Sequence, residues 1–373
     1  MSKGITVPEG IGIVLPPGAD TRRIEYEAAQ FLLRLGGMGW CKFETLETAK
    51  GQVLRLRLRK SLFAKFSPGF DTLTLRQRLL KSMARQDEAL LVREIWIAML
   101  SAPIRMDFAN LDELESHVRI RCNIVCAAEK TALAFKVHAT ERPADFWHDE
   151  PDEGFLLKKE VCLVDALIAA TQPERTGRLY DFSCYRATEY VILLGLAQEA
   201  RSTAPDLYAR LEAKARQKCI KSGLFHEVFL VEYGTTDAPI PMNYYVPGDR
   251  VWFKNPDEHS SNAPGYEGSW VIYLGGGRFS NFWKRDAPYS MQAKALEVYH
   301  WRHGAHIDAD AGMQMNEQVV DAEVARSRSD PIKRQKILKL MNRYRDPMGV
   351  YSDGGCIDAS REFPRHLTSI VLP

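Results

Sequence analysis

The apolar residues change their period once along the chain. Over residues 73–100, again over 111–135, and a third time after Cys184, they recur at helical spacing, with Leu111, Leu114, Val118 and Val125 on one side of the second segment. Later they fall into strand-length runs at 227–233, 249–254, 269–274 and 278–283, set apart by clusters of Pro, Gly, Asn and Ser. Connections that short join antiparallel neighbours, because a parallel pair needs a crossover of roughly a dozen residues or more. Helices followed by a strand meander therefore predict an α+β fold, with a helix packed on an antiparallel sheet.

The two ends read differently from this centre. Residues 1–88 form an N-terminal α/β extension: a strand at 11–15, then a helix capped by Asp20 with Ile24, Ala28, Phe31 and Leu35 on one face and Gly36 and Gly37 as its stop. At 54–59 leucines alternate with Arg55, Arg57 and Arg59, the pattern of an amphipathic edge strand protected by charge, or alternatively a docking face for acidic ligands. Residues 311–373 form a tail in which Asp330 and Pro331 open a helix bearing Lys333, Arg334, Lys336, Lys339, Arg343 and Arg345 beside Ile332, Leu338 and Met341. Packing against the body is expected of this basic helix; binding to a membrane, RNA or an acidic partner is the alternative. The span 89–310 is left as the core.

Composition narrows the partners. Fifty basic residues oppose 48 acidic ones in 373 residues, so global charge gives no argument for nucleic acid or an anionic membrane. No apolar run nears the ~18 residues of a membrane span. Prolines and glycines interrupt the N-terminal apolar stretch before a signal peptide forms, which makes the cytoplasm the default location and leaves export without a cleavable signal open. Seven cysteines, an odd number spread thinly, predict free thiols, with Cys122 and Cys126 one helical turn apart as core packing. His300, His303 and His306, followed by Asp308 and Asp310, could form a metal site or supply a catalytic histidine, but their spacing reads as that of solvated or capping residues. No metal or cofactor is expected.

Cys184 stands where a helix begins, after Gly177-Arg178-Leu179-Tyr180-Asp181-Phe182-Ser183 and before the apolar run 191–197. A thiol in a first helical turn meets free amide N–H groups and the positive dipole end, which favour the nucleophilic thiolate. Two later stretches, 246–256 and 265–275, are similar to the paired strands of papain-like cysteine enzymes, cell-wall peptidases of the NlpC type among them. Over roughly residues 90–310 the sequence resembles the bacterial spore-coat type of protein-glutamine gamma-glutamyltransferase. The resemblance runs through Arg121-x-Asn123-Ile124-Val125-x-Ala127-Ala128, Gly177-x-x-Tyr180-x-Phe182-x-Cys184 and Gly248-Asp249-x-x-x-Phe253-x-Asn255-Pro256.

That resemblance implies a papain-like core in which the Cys184 thiolate attacks a glutamine carboxamide, releases ammonia and passes the acyl group to a lysine amine, without metal or nucleotide. Its partners would be protein glutamine and lysine side chains; oligomeric state is not implied. The sequence departs from the family at two acids, where Ser183 and Ser269 stand and cannot accept a proton at neutral pH. Glu267 is a candidate substitute, since alternation would place it on the face of Ser269 if the strand reaches that far. Glu232 matches an acid on the neighbouring strand, and Asn281 falls near a polar orienting position. A glutamine deamidase or amide hydrolase on the same scaffold, and a catalytically silent transglutaminase-like binding module, are the alternatives.

Overall fold

The computed structural model of the protein describes residues 7–34, 37, 39–49, 51–82, 89–136, 140–151, 153–220, 222–310, 312–346 and 354–372; Leu35 and Gly36, expected at the end of the first helix, lie outside them. The front piece is a four-stranded sheet in the order Cys41–Thr48, Gly51–Leu58, Ile11–Val14, Met106–Phe108. Gly51–Leu58 is thus an interior strand, which revises the edge-strand expectation. Its Leu54, Leu56 and Leu58 enter the core. On its other face Arg57 pairs with Glu44 at 2.9 Å, and Arg55 bridges Glu44 and Glu9. Hydrogen bonds from Lys42, Arg55 and Arg57 hold the Glu44 carboxyl down at about 2. The arginine face is neutralised across the strands, and a docking role for acidic ligands loses its free charge.

The centre is α+β, as the change of period predicts. A six-stranded sheet runs Tyr289–Ser290, Arg278–Phe279, Gly268–Gly275, Arg250–Lys254, Arg361–Pro364, Leu230–Tyr233, with every neighbouring pair antiparallel. Two expected strands are shorter than their apolar runs. Residues Ser222–Phe229 are helical, so that strand starts only at Leu230. The other ends at Phe279, because the Asn281 side chain bonds the Ala287 carbonyl and the Lys284 N–H and turns the chain.

The sheet separates two apolar layers. Ile272 and Leu274 join the core built by the helices Leu111–Lys130, Leu163–Thr171 and Cys184–Thr203. Val251, Phe253, Val271 and Tyr273 join the opposite core, built by Met291–Gly304, Glu317–Ser329 and Pro331–Met341. Alternation along one strand, with a helical layer on each face, is the physical basis of this division. The basic helix Pro331–Met341 packs through Ile337 and Met341, with Asp330 accepting from the Ile332 and Lys333 N–H groups at 2.9 and 3.0 Å. A boundary at residue 311 cuts through this arrangement. Arg361–Pro364 lies inside the sheet, with Glu362 opposite Arg250, so the expected tail is part of the core.

Two polar joints fix the sheet on its helices. Arg121 donates to Asp249 Oδ1 at 2.8 Å with both side chains fully buried, while the Tyr233 hydroxyl and the Val246 N–H donate to Asp249 Oδ2. The turn at Gly275, Gly276 and Gly277 has φ of 82°, 62° and 73° and docks on Glu94, whose Oε1 accepts from the Gly276 N–H at 2.7 Å. Arg76 donates to the other oxygen of Glu94 at 2.6 Å, which ties the front helices to the hairpin.

Candidate active site

Ser183 is the N-cap of Cys184–Thr203, its hydroxyl oxygen accepting from the Arg186 N–H at 3.3 Å. Capping suits serine better than the longer acid the family resemblance would place there. Cys184 is the first helical residue. Burial pushes its thiol up; the Trp270 N–H, the Lys294 ammonium, the Tyr185 N–H and the Arg250 guanidinium, in that order, pull the other way. The expectation of a depressed thiol is corrected: desolvation outweighs the helix start.

The sulfur opens on a cleft of about 580 Å³ between the sheet and the C-terminal helices. Ser269 and Asn281 line it with Cys184, so three positions singled out in the sequence meet there. Asn281 spends its amide on the loop, donating to Ala287 O at 3.0 Å and accepting from the Lys284 N–H at 3.1 Å. Phe135, Tyr266, Trp283 and Trp301 form an aromatic wall, with ring centroids 5.1 Å apart for Phe135 and Trp283, and 5.2 Å for Tyr266 and Trp301. The family segment Asn255-Pro256 supports the loop before Ser269, Asn255 donating to Ser260 Oγ and Tyr266 O, each at 2.9 Å.

Neither candidate acid lines the cleft. The strand begins at Gly268 and residue 267 lies in the bend before it, so alternation does not carry Glu267 inward; its exposed carboxylate accepts from the Gly265 N–H at 3.4 Å. Glu232 is on the outermost strand, with Arg361–Pro364 and Arg250–Lys254 between it and Ser269, and it accepts from the Ser360 hydroxyl. The histidines serve packing: His300 faces His303 with 3.0 Å between their Nδ1 atoms and bonds Ser327 at 2.8 Å, and His306 turns to the Gly304 carbonyl. Among the described residues no three His, Cys, Asp or Glu side chains come together as a metal set. Cys126 is exposed rather than core, and Cys122 is partly buried.

Sequence reasoning missed two residues around the sulfur, Lys294 and Arg250. Lys294, 2% exposed, pairs with Glu297 at 2.9 Å and lies 3.5 Å from the Tyr289 ring centroid. Met291, Lys294, Val298 and Trp301 follow one buried stripe, so a lysine at an apolar position was the readable signal. Arg250 is sandwiched between Tyr185 and Trp270, 4.2 and 4.1 Å from their ring centroids, with Glu362 at 3.3 Å and His226 behind that carboxylate.

The sequence pattern of the protein-glutamine gamma-glutamyltransferase family matches residues 73–361. The chain belongs to this family. A protein-glutamine gamma-glutamyltransferase of Halalkalibacterium halodurans is 25% identical over 196 residues, covering 50% of this chain and 62% of the relative. The chain thus spans less than two thirds of that relative's length. A solved transglutaminase from Geobacillus stearothermophilus, without its C-terminal extension, aligns at 19% identity with a TM-score of 0.38, covering 57% of this chain and 97% of that one. The gamma-glutamyltransferase match starts within the front piece and ends on the strand at Arg361, so it takes in the helices that close the cleft. No described helix is long and apolar enough to cross a membrane.

Proposed function

We propose that the protein is a cysteine acyltransferase in which Cys184 attacks the side-chain carboxamide of a protein glutamine, expels ammonia and transfers the acyl group from the thioester to a lysine amine. The observation that carries this reading is the Cys184 sulfur at a helix start, opening on a cleft and met by the Trp270 and Tyr185 N–H groups. Those donors stabilise negative charge on sulfur as it attacks. The aromatic wall of Phe135, Tyr266, Trp283 and Trp301 suits the methylene stems of glutamine and lysine, whose polar ends then reach the sulfur. Burial of the reacting atoms disfavours competing attack by water.

The purified protein is expected to incorporate a fluorescent primary amine into a glutamine-containing protein without added calcium, and Cys184→Ala to abolish incorporation. Ammonia release without amine incorporation would select the deamidase reading. No product from a panel of protein substrates would select the binding module.

A further inference from the structure

With serines at both acid positions and Glu267 and Glu232 turned away, the cleft still needs a group that carries protons. Its acids and bases fall into pairs. The Tyr266 hydroxyl donates to Glu317 at 2.8 Å, and Lys284 reaches Asp321 at 3.5 Å, both in solvent-exposed surroundings. Arg328 lies at the exposed rim. Arg250 approaches from the strand beneath Tyr185, but a guanidinium does not give up its proton in a protein. Among the described residues lining the cleft, Lys294 is the buried cation, and its charge acts on the Cys184 sulfur. An ammonium at an apolar helix position incurs desolvation, partly offset by Glu297 and the Tyr289 ring face.

We propose that Lys294 is the acid and base of this site in place of the missing carboxylates, its ammonium opposing the burial that disfavours the Cys184 thiolate. The inference rests on the acyl-transfer reading above. In acylation the Cys184 thiolate forms the C–S bond, the C–N bond of the carboxamide breaks, and the Lys294 ammonium gives its proton to the departing nitrogen, leaving thioester, ammonia and neutral Lys294. In the second half a neutral lysine amine of the acceptor attacks the thioester, Lys294 takes the proton this amine loses, and the C–S bond breaks to restore thiolate and ammonium. Charge and protons balance over the cycle, with no further reactant. Glu297 positions Lys294 through their 2.9 Å ion pair.

Two readouts test this. The pH profile of Cys184 alkylation by iodoacetamide, followed by peptide mapping, needs no protein substrate. Lys294→Met is expected to raise its midpoint by about 1 unit, because the thiolate loses an opposite charge; an unchanged midpoint overturns this role of the ammonium. If Lys294→Met does not fold, as thermal unfolding would reveal, Lys294→Gln carries the same test, with the same rise expected and no rise overturning it. Lys294→Arg keeps the charge without a releasable proton, so alkylation is expected near wild type while amine incorporation falls by about 100-fold. Incorporation by Lys294→Arg at the wild-type rate overturns proton transfer. Absence of any product from wild type would overturn the acyl-transfer reading and proton delivery with it, while the alkylation arm still decides the role of the ammonium.

Discussion

At the scale of single residues, serines stand at the two positions where the family resemblance implies acids, and Ser183 has other work. Ser183 caps the helix that begins at Cys184, so Ser183→Ala should lower stability by about 1 kcal/mol in urea unfolding while Ser183→Asp holds it. Restoring the family pattern with Ser183→Glu and Ser269→Glu puts a carboxylate into a cleft already holding the Lys294–Glu297 pair. Amine incorporation is expected to rise by less than about tenfold if Lys294, as proposed, already supplies general acid/base assistance worth ~10² or more. A larger gain would mark the native cleft as idle. Cys184 was legible from its place before an apolar run and Ser183 only as a departure from the family resemblance; Lys294 carried a weaker signal, because one lysine in a helical stripe reads first as a side chain extending to solvent.

At the scale of elements, the helix Met291–Gly304 matters as much as the helix that begins at Cys184. It bears Lys294 on one turn and His300 on another, and His300 fastens it to Glu317–Ser329 through Ser327. Burial, with the His303, Lys333 and Arg302 charges, holds His300 at about 4, against an ordinary 6.5. The unfolded chain therefore takes up this proton first. Stability from this group is full above pH 6.5 and is lost as pH falls toward about 4. Urea midpoints of His300→Gln are expected to fall less steeply over that window than those of wild type, and parallel curves would refute it. The hairpin turn is a second joint. At Gly275, with φ of 82°, an added Cβ would lie 2.6 Å from Arg76 Nη2 and 2.7 Å from Glu94 Oε2. Gly275→Ala is expected to destabilise by more than about 1 kcal/mol, read from the thermal midpoint, because backbone strain adds to the displaced ion pair.

At the scale of the molecule, the chain's late segments close what its middle begins. Removing residues 311–373 takes away Arg361–Pro364 from between Arg250–Lys254 and Leu230–Tyr233, leaving two unpaired sheet edges and exposing Val251, Phe253, Val271 and Tyr273. Such a truncation is expected to aggregate or lose its cooperative unfolding transition, checked by solubility and circular dichroism. The front piece is joined comparably: Tyr244 and Val246 share its core, and the Tyr244 hydroxyl donates to the Ala98 carbonyl at 2.9 Å.

The sequence by itself determined the α+β class, the main helices, the strands around Arg250–Lys254 and Gly268–Gly275, and the cysteine at a helix start. These are carried by local periodicity, capping and turn residues, each readable within about one element's length. Tertiary structure alone decided that Gly51–Leu58 is interior, that residues beyond 311 belong to the central sheet, and that Lys294 rather than Glu267 lines the cleft with Cys184. Strand order, burial and the meeting of side chains distant in sequence depend on long-range packing, and no pattern confined to a short window encodes them.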